Sequence, residues 1–382
     1  MRLAIVHNHP IHYKHLLFSE LAAQGAHVDV LFAATSSAAR AASLQPVGTS
    51  YHSHFLSEGA FEGMPQKQAC LRAIRLLEKC KPDVVIIGGY SYLPTWAALA
   101  WATLRRKPVV LWFESNLFDH PRHWMKEIPK RIFVRMCDLG HVYGTSNREY
   151  LQVLGMPAAR IVEKRVICDA RRFGTRRAGF HADKRRFVFV GRLAPEKNLP
   201  RLLDAMAILK ARSPELAAEL LLVGYGPEEA MLREKVKASG LTDRVVFAGA
   251  ATQDEVSSLM AESDCLVLPS LSEPWGLVAN EALCTGVPIL ESDRCGCARD
   301  LVTADTGWSF AAEDTEELAS RLEAVCRLPI ERLQEMGAAC VRMAGEYTAE
   351  KCARQILYYA QSLMAERPAP GKSFGQAMDG DA

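Results

Sequence analysis

Short apolar runs alternate with helix-length segments along most of the chain. RLAIV, near the amino terminus, is apolar, partly β-branched and too short for a helix. The polar stretch after it leads into HLLFSELAAQG, whose apolar spacing predicts a helix closed by Gly25, and VDVLF follows as a second strand. The pattern recurs with DVVIIGGY as a strand, WAALAWATLRR as a helix, PVVLWFES as a strand and GHVYGTS as a strand entering a helix, where Ser146 and Glu149 stand at capping-box spacing. These strands are apolar throughout rather than alternating, so both faces of their sheet are expected to be covered and the sheet to be parallel.

From Val162 to Arg186 the periodicity gives way to charge and glycine, which predicts an interdomain connection over about 166–186. A second alternation then runs through FVFVG, LPRLLDAMAILKA, ELLLVG, EEAMLREKVKAS, RVVFAG, TQDEVSSLMAES, CLVLPS, GLVANEALCTG and PILES. The expected architecture is therefore α/β, with two successive Rossmann-like doubly wound units, 1–165 and 187–345. A last helix at about 348–365 is expected to pack back on the first unit, ahead of a disordered tail at 367–382. At 382 residues the chain exceeds what one hydrophobic core usually organises, in agreement with two domains.

Composition changes this picture little, but charge does. Up to residue 184 there are 25 Lys and Arg against 14 Asp and Glu, and beyond it 21 against 30, so a net charge of +2 joins a basic half to an acidic one. All 11 histidines fall in the basic half. That surplus suits either an anionic partner, such as a phosphorylated lipid or a membrane face, or plain solvation. No apolar run reaches the roughly 18 residues of a spanning helix, and MRLAIVHNHP reads as a strand rather than an export signal, so a cytoplasmic location is expected, at the inner face of the membrane if the basic half rests there. The 11 cysteines lack any CxxC and are expected as buried small hydrophobes.

The residues suited to chemistry sit where ligands bind in parallel sheets, beyond the carboxyl ends of strands. Gly191 and Arg192 follow FVFV, and the loop runs on to Lys197 and Asn198 at a helix start; two cations on one short loop suit a diphosphate. SLSEPWGLVANEA lies between a strand and a helix, with Glu273 ahead of the helix and Glu281 inside it. Backbone donors near Trp275, Gly276 and Leu277 fall between these carboxylates, which suit sugar or ribose hydroxyls.

GRLAPEKN, LLVGYGPEE and SEPWGLVANEALCTGVPIL, in this order and spacing, resemble the retaining glycosyltransferases of family 4, which have the GT-B fold of two Rossmann-like domains facing a cleft. The resemblance implies a metal-independent transferase with no cofactor beyond its nucleotide diphosphate sugar donor. It implies that Arg192, Lys197 and Glu273 are catalytic, the cations holding the diphosphate and Glu273 touching the transferred sugar. Glu281 would take the ribose, the amides of Trp275, Gly276 and Leu277 would meet sugar and phosphate, and Gly191, Gly224 and Tyr225 would shape the nucleotide pocket. The acceptor expected is a glycan or lipid-linked sugar of the cell envelope, with no nucleic acid as partner. A nucleotide-sugar epimerase or hydrolase, or a non-catalytic subunit, are the alternatives; a dinucleotide dehydrogenase is disfavoured because no strand leads into G-x-G-x-x-G.

The first half departs from the family, whose glycine pair after the first strand is here His7-Asn8-His9-Pro10-Ile11-His12-Tyr13-Lys14-His15. His9, His12 and Lys14 become acceptor-side candidates, with metal binding by His7 and His9 as a rival. Glu114 and Ser115, ending PVVLWFES, join them, with Glu114 either orienting an acceptor hydroxyl or capping a helix. Finally, Arg122, Lys126, Lys130, Arg131 and Arg135 interleave with Trp124, Ile128, Ile132 and Phe133, which suits a helix resting on an anionic membrane or one packed on its own domain.

Overall fold

A computed structural model of the chain describes residues 1–10, 12–36, 50–119, 122–163, 166–174, 180–181 and 183–366. The first half runs β1 (Arg2–His7), α1 (His12–Ala23), β2 (His27–Phe32), β3 (His52–Phe55), α2 (Gln66–Cys80), β4 (Val84–Gly88), α3 (Leu93–Leu104), β5 (Val109–Phe113), α4 (Trp124–Arg135), β6 (Leu139–Val142), α5 (Thr145–Val153) and β7 (Ile161–Val162). A short helix, α6 (Ala170–Phe173), leads to the second half: β8 (Arg185–Val190), α7 (Leu199–Arg212), β9 (Ala218–Val223), α8 (Glu229–Ala238), β10 (Val245–Gly249), α9 (Gln253–Ala261), β11 (Cys265–Leu268), α10 (Leu277–Thr285), β12 (Ile289–Ser292), α11 (Ala298–Leu301), β13 (Gly307–Phe310), α12 (Thr315–Arg327), α13 (Ile330–Ala344) and α14 (Ala349–Ala365).

Each half holds one parallel sheet. The first has seven strands in the order β3-β2-β1-β4-β5-β6-β7, the second six in the order β10-β9-β8-β11-β12-β13. The unbroken apolar runs explain this arrangement. Val84–Ile87 and Cys265–Leu268 are almost wholly buried because helices cover both sheet faces, and each such Val, Leu or Ile contributes about 1.5–3 kcal/mol over exposure. Strand order reverses between β1 and β4 and between β8 and β11, so two crevices open at the carboxyl ends of these strands.

Several details refine the expectations. The stretch read as a connection contributes Val166, Cys168 and Phe173 to the second core, because its apolar residues fall between the charges rather than in a periodic run. Helix α14 crosses back to α1, setting Cys352, Ala353, Ile356 and Ala360 against the cluster that holds Leu17 and Phe18. The tail at 367–382 lies outside the described residues. Helix α5 starts at Thr145, and Asn147 rather than Ser146 caps it, its Oδ1 accepting from Gly144 N at 3.3 Å. Helix α4 turns Phe133 and Val134 inward while Trp124, Met125, Ile128 and Ile132 face solvent, with 70% of Trp124 exposed. All eleven cysteines are free thiols and nine are buried. Among the described residues no helix is long and apolar enough to cross a membrane.

Candidate active site

The second-half crevice is built from three loops locked together by backbone. Gly224, with φ +132°, lies flat against the loop after β8: a Cβ there would stand 1.9 Å from Gly191 O. Leu193 N donates to Tyr225 O (3.0 Å) and Glu228 N to Leu193 O (3.0 Å), which joins the loops after β8 and β9. The loop after β11 is tied on by Leu271 N, which donates to Glu196 O at 2.9 Å. Asn198, at φ +55°, anchors the far end, donating from Nδ2 to Pro269 O (3.1 Å) and Ala312 O (3.0 Å).

This frame brings Lys197 and Glu273 together, 76 residues apart in sequence, as a largely buried ion pair. Arg192 stands at the rim, more than half exposed, with its guanidinium on Glu196 at 2.5 Å. The positive groups near Glu196 hold its carboxyl below the usual range, although partial burial pulls the other way. Arg192 on Glu196 and Lys197 on Glu273 are thus two separate ion pairs on one loop, and an incoming anion can draw both cations off their present partners.

Helix α10 starts under this pair. Gly276 caps it at φ +99°, a backbone state that suits glycine; Ala279 N donates back to Gly276 O at 2.8 Å, while the amides of Leu277 and Val278 stand too early in the helix to find an acceptor within it. The Trp275 ring is buried, donating from Nε1 to Asn280 Oδ1 at 2.7 Å, and its carbonyl accepts from Cys297 N at 3.1 Å. Glu281 lies on the same helix toward Arg172, and burial pushes its carboxyl up to about 8 against the opposing pull of that guanidinium. Tyr225 is exposed at the crevice mouth.

The first half supplies the opposite wall. Lys14 Nζ, only 2% exposed, donates to His7 Nε2 and to Glu114 Oε1 at 2.8 Å, and Glu114 is 41% exposed at the end of β5. As Lys14 has only donors, His7 Nε2 is the acceptor of this pair. Glu114 thus pairs with a lysine 100 residues away in sequence. His9 is buried with its ring tilted on Phe61 (6.3 Å between centroids), and His7 sits edge-on to Trp112 at 6.4 Å. His12 opens α1, and its side chain lies outside the described residues.

Two asparagines that sequence reasoning passed over join the walls. Asn116 Nδ2 donates to Glu273 O (3.2 Å) and Pro274 O (3.4 Å). Asn147 Nδ2 donates to Glu114 O (2.9 Å), Ser115 O (3.0 Å) and Pro274 O (3.5 Å). Glu114, Ser115 and Glu273 are thereby held on facing sides of one cleft. Farther along it, Asp300 accepts from Thr145 N (3.1 Å) and Thr145 Oγ1 (2.7 Å), so a second-half carboxylate caps the first-half helix α5. Glu291, fully buried behind Glu273, was also missed; Cys297 Sγ donates to it at 3.1 Å, and burial raises its carboxyl to about 8.

Similarity to known proteins follows this geometry. Residues 172–340 match the family described as "Glycosyl transferases group 1", and residues 12–164 match the "Glycosyl transferase 4-like domain", whose match begins beyond the divergent His7–His9 stretch. A D-inositol 3-phosphate glycosyltransferase from Rhodococcus erythropolis is 33% identical over 176 residues, covering 44% of this chain and 39% of that protein. A glycogen synthase from Mycobacterium tuberculosis is 28% identical over 302 residues, covering 76% of this chain and 72% of the relative. HepE from Anabaena, solved in complex with UDP, superposes with a TM-score of 0.70 at 16% identity over 95% of this chain and all of its own. The chain belongs to the glycosyltransferases of the group 1 and 4-like type, with the GT-B fold.

Proposed function

We propose that the protein transfers a sugar, with retention of anomeric configuration, from a nucleotide diphosphate donor to a glycan or lipid-linked acceptor of the cell envelope. The observation that carries this is the Lys197–Glu273 pair set between the α10 amino end and the Asn116 bridge. The diphosphate would take Lys197 and Arg192, with the α10 amides on its oxygens, and the freed Glu273 carboxylate would accept from sugar hydroxyls. Glu281, carrying a proton near neutral pH, would accept from one ribose hydroxyl and donate to the other. HepE, bound to UDP, supports a nucleotide in this crevice.

In the transfer the acceptor oxygen bonds to the anomeric carbon on the face from which the diphosphate departs. The anomeric carbon–oxygen bond breaks with its electron pair going to the diphosphate, and the acceptor proton passes to a phosphate oxygen of that leaving group. Lys197 and Arg192 neutralise the charge that develops there. Lys14 and Glu114, across the cleft, hold the acceptor hydroxyl in line. No metal or cofactor is required by this scheme.

The exposed row Trp124, Ile128 and Ile132 on α4, beside Lys126, Arg131 and Arg135, would rest on an anionic membrane at the cytoplasmic face and bring lipid-linked acceptors to the first-half wall. The test is incubation with nucleotide sugars and envelope glycolipids, with proton NMR of the product. A glycoside of the donor's own anomeric configuration is expected. Inverted product, or only free sugar or an epimer, would overturn the proposal.

A further inference from the structure

The parallel pair β2 and β3 carries an arrangement that sugar transfer does not use. Register pairs Asp29 with His52 and Leu31 with His54, and side chains alternate along strands, so His27, Asp29, His52 and His54 all project from one face. Asp29 lies at their centre and is nearly buried, its side chain 7% exposed, whereas His27 and His52 are 44% and 62% exposed. His27 Nε2 is 3.3 Å from Asp29 Oδ2, and His52 Nδ1 is 4.0 Å from Oδ1. One ligand atom from each of the three lies within 4.8 Å of the others. His54 Nε2 meets Asp29 Oδ1 at 2.9 Å and fixes the carboxylate from the other side.

We infer that His27, Asp29 and His52 form a binding site for a divalent transition ion of the zinc type. Tetrahedral zinc with nitrogen and oxygen ligands about 2.0–2.2 Å away spaces its donors about 3.4 Å apart, and the separations here need only a small closure. Two imidazoles and a carboxylate match zinc's preferences and leave one position for water, while His54 acts as the outer partner that orients the carboxylate. The first residues of β2 and β3 are His27 and His52, so the site lies at the amino ends of the strands, opposite the cleft. A bound ion would tie the edge strand β3 to β2, giving it a stabilising role independent of transfer.

The test uses the full chain without an affinity tag, stripped with a chelator, dialysed and titrated with zinc chloride in a calorimeter. One ion per chain is expected, together with a rise in Tm. The double variant His27→Ala/His52→Ala, altered at exposed positions and checked for folding by circular dichroism, should lose both. His54→Ala should weaken binding about 10–100-fold. No one-per-chain event in the wild type, or an undiminished event in the double variant, would overturn the assignment. So would a thiolate charge-transfer band with cobalt(II) that Cys80→Ser removes, since that would put the ion on the inner Asp29–His54–Cys80 set.

Discussion

Each wall of the cleft holds a lysine in an ion pair, Lys14 buried and Lys197 partly so, in different surroundings. Lys197 meets Glu273 within a frame of hydrogen-bonded loop backbone beside the amino end of α10. Lys14 meets His7 and Glu114 beside aromatic rings, with an imidazole and a half-exposed carboxylate as its partners. The first arrangement favours a ligand that arrives charged, and the second a hydroxyl that must be positioned. An ion pair alone therefore does not define a role; the groups that compete for it do.

The sharpest way to break this contrast is Lys197→Ala. It should lower transfer by roughly a thousandfold, at the upper end of what removing one group from a developing anion costs, as read from kcat/KM. Lys14→Met should act on the other wall, raising the acceptor KM roughly 10–100-fold and leaving donor binding unchanged. An equal effect of both variants on donor binding would erase the distinction.

Behind the donor wall, Glu291 tests whether burial governs protonation. Its carboxyl is raised from 4.5 to about 8, so between those values the folded chain keeps a proton that the unfolded chain has released. Stability attributable to this group therefore falls as pH rises through that window. Glu291→Gln should match the wild type near pH 5 and exceed it by on the order of 1–3 kcal/mol at pH 8.5, measured by denaturant titration. Smallest is the effect at the junction of the walls, where Asp300→Ala removes the carboxylate capping α5 and should cost about 1 kcal/mol by the same method.

The same contrast accounts for what the sequence disclosed. Lys197, Glu273 and Glu281 stand out in the sequence because their contexts are contiguous stretches with fixed spacing, and the apolar strands announced two parallel sheets. The pairing of Lys14 with Glu114 was not, since 100 residues separate them and only the β1, β4 and β5 order joins them. Both were named singly, without the bond between them. Asn116 and Asn147 have no role that the sequence assigns, because an asparagine's value depends on which carbonyls surround it. The cluster on β2 and β3 left a trace in H-x-D and H-x-H at strand period, yet only the pairing register of the two strands brings these side chains together. Arg192 and Lys197 were expected to converge on a diphosphate; in the fold Arg192 stands at the rim and reaches forward four residues to Glu196, a local contact that spacing alone does not disclose.

Thermal melting with nucleoside diphosphates at a hundred times their dissociation constant tests the donor wall most directly, since binding at that level adds about 2.7 kcal/mol. At least one of UDP, GDP and ADP should raise the Tm of the wild type and of Lys14→Met alike, and none should raise that of Lys197→Ala. A wild type that melts unchanged with all three, or a Lys197→Ala variant stabilised as strongly as the wild type, would contradict the assignment of the second-half crevice to the diphosphate.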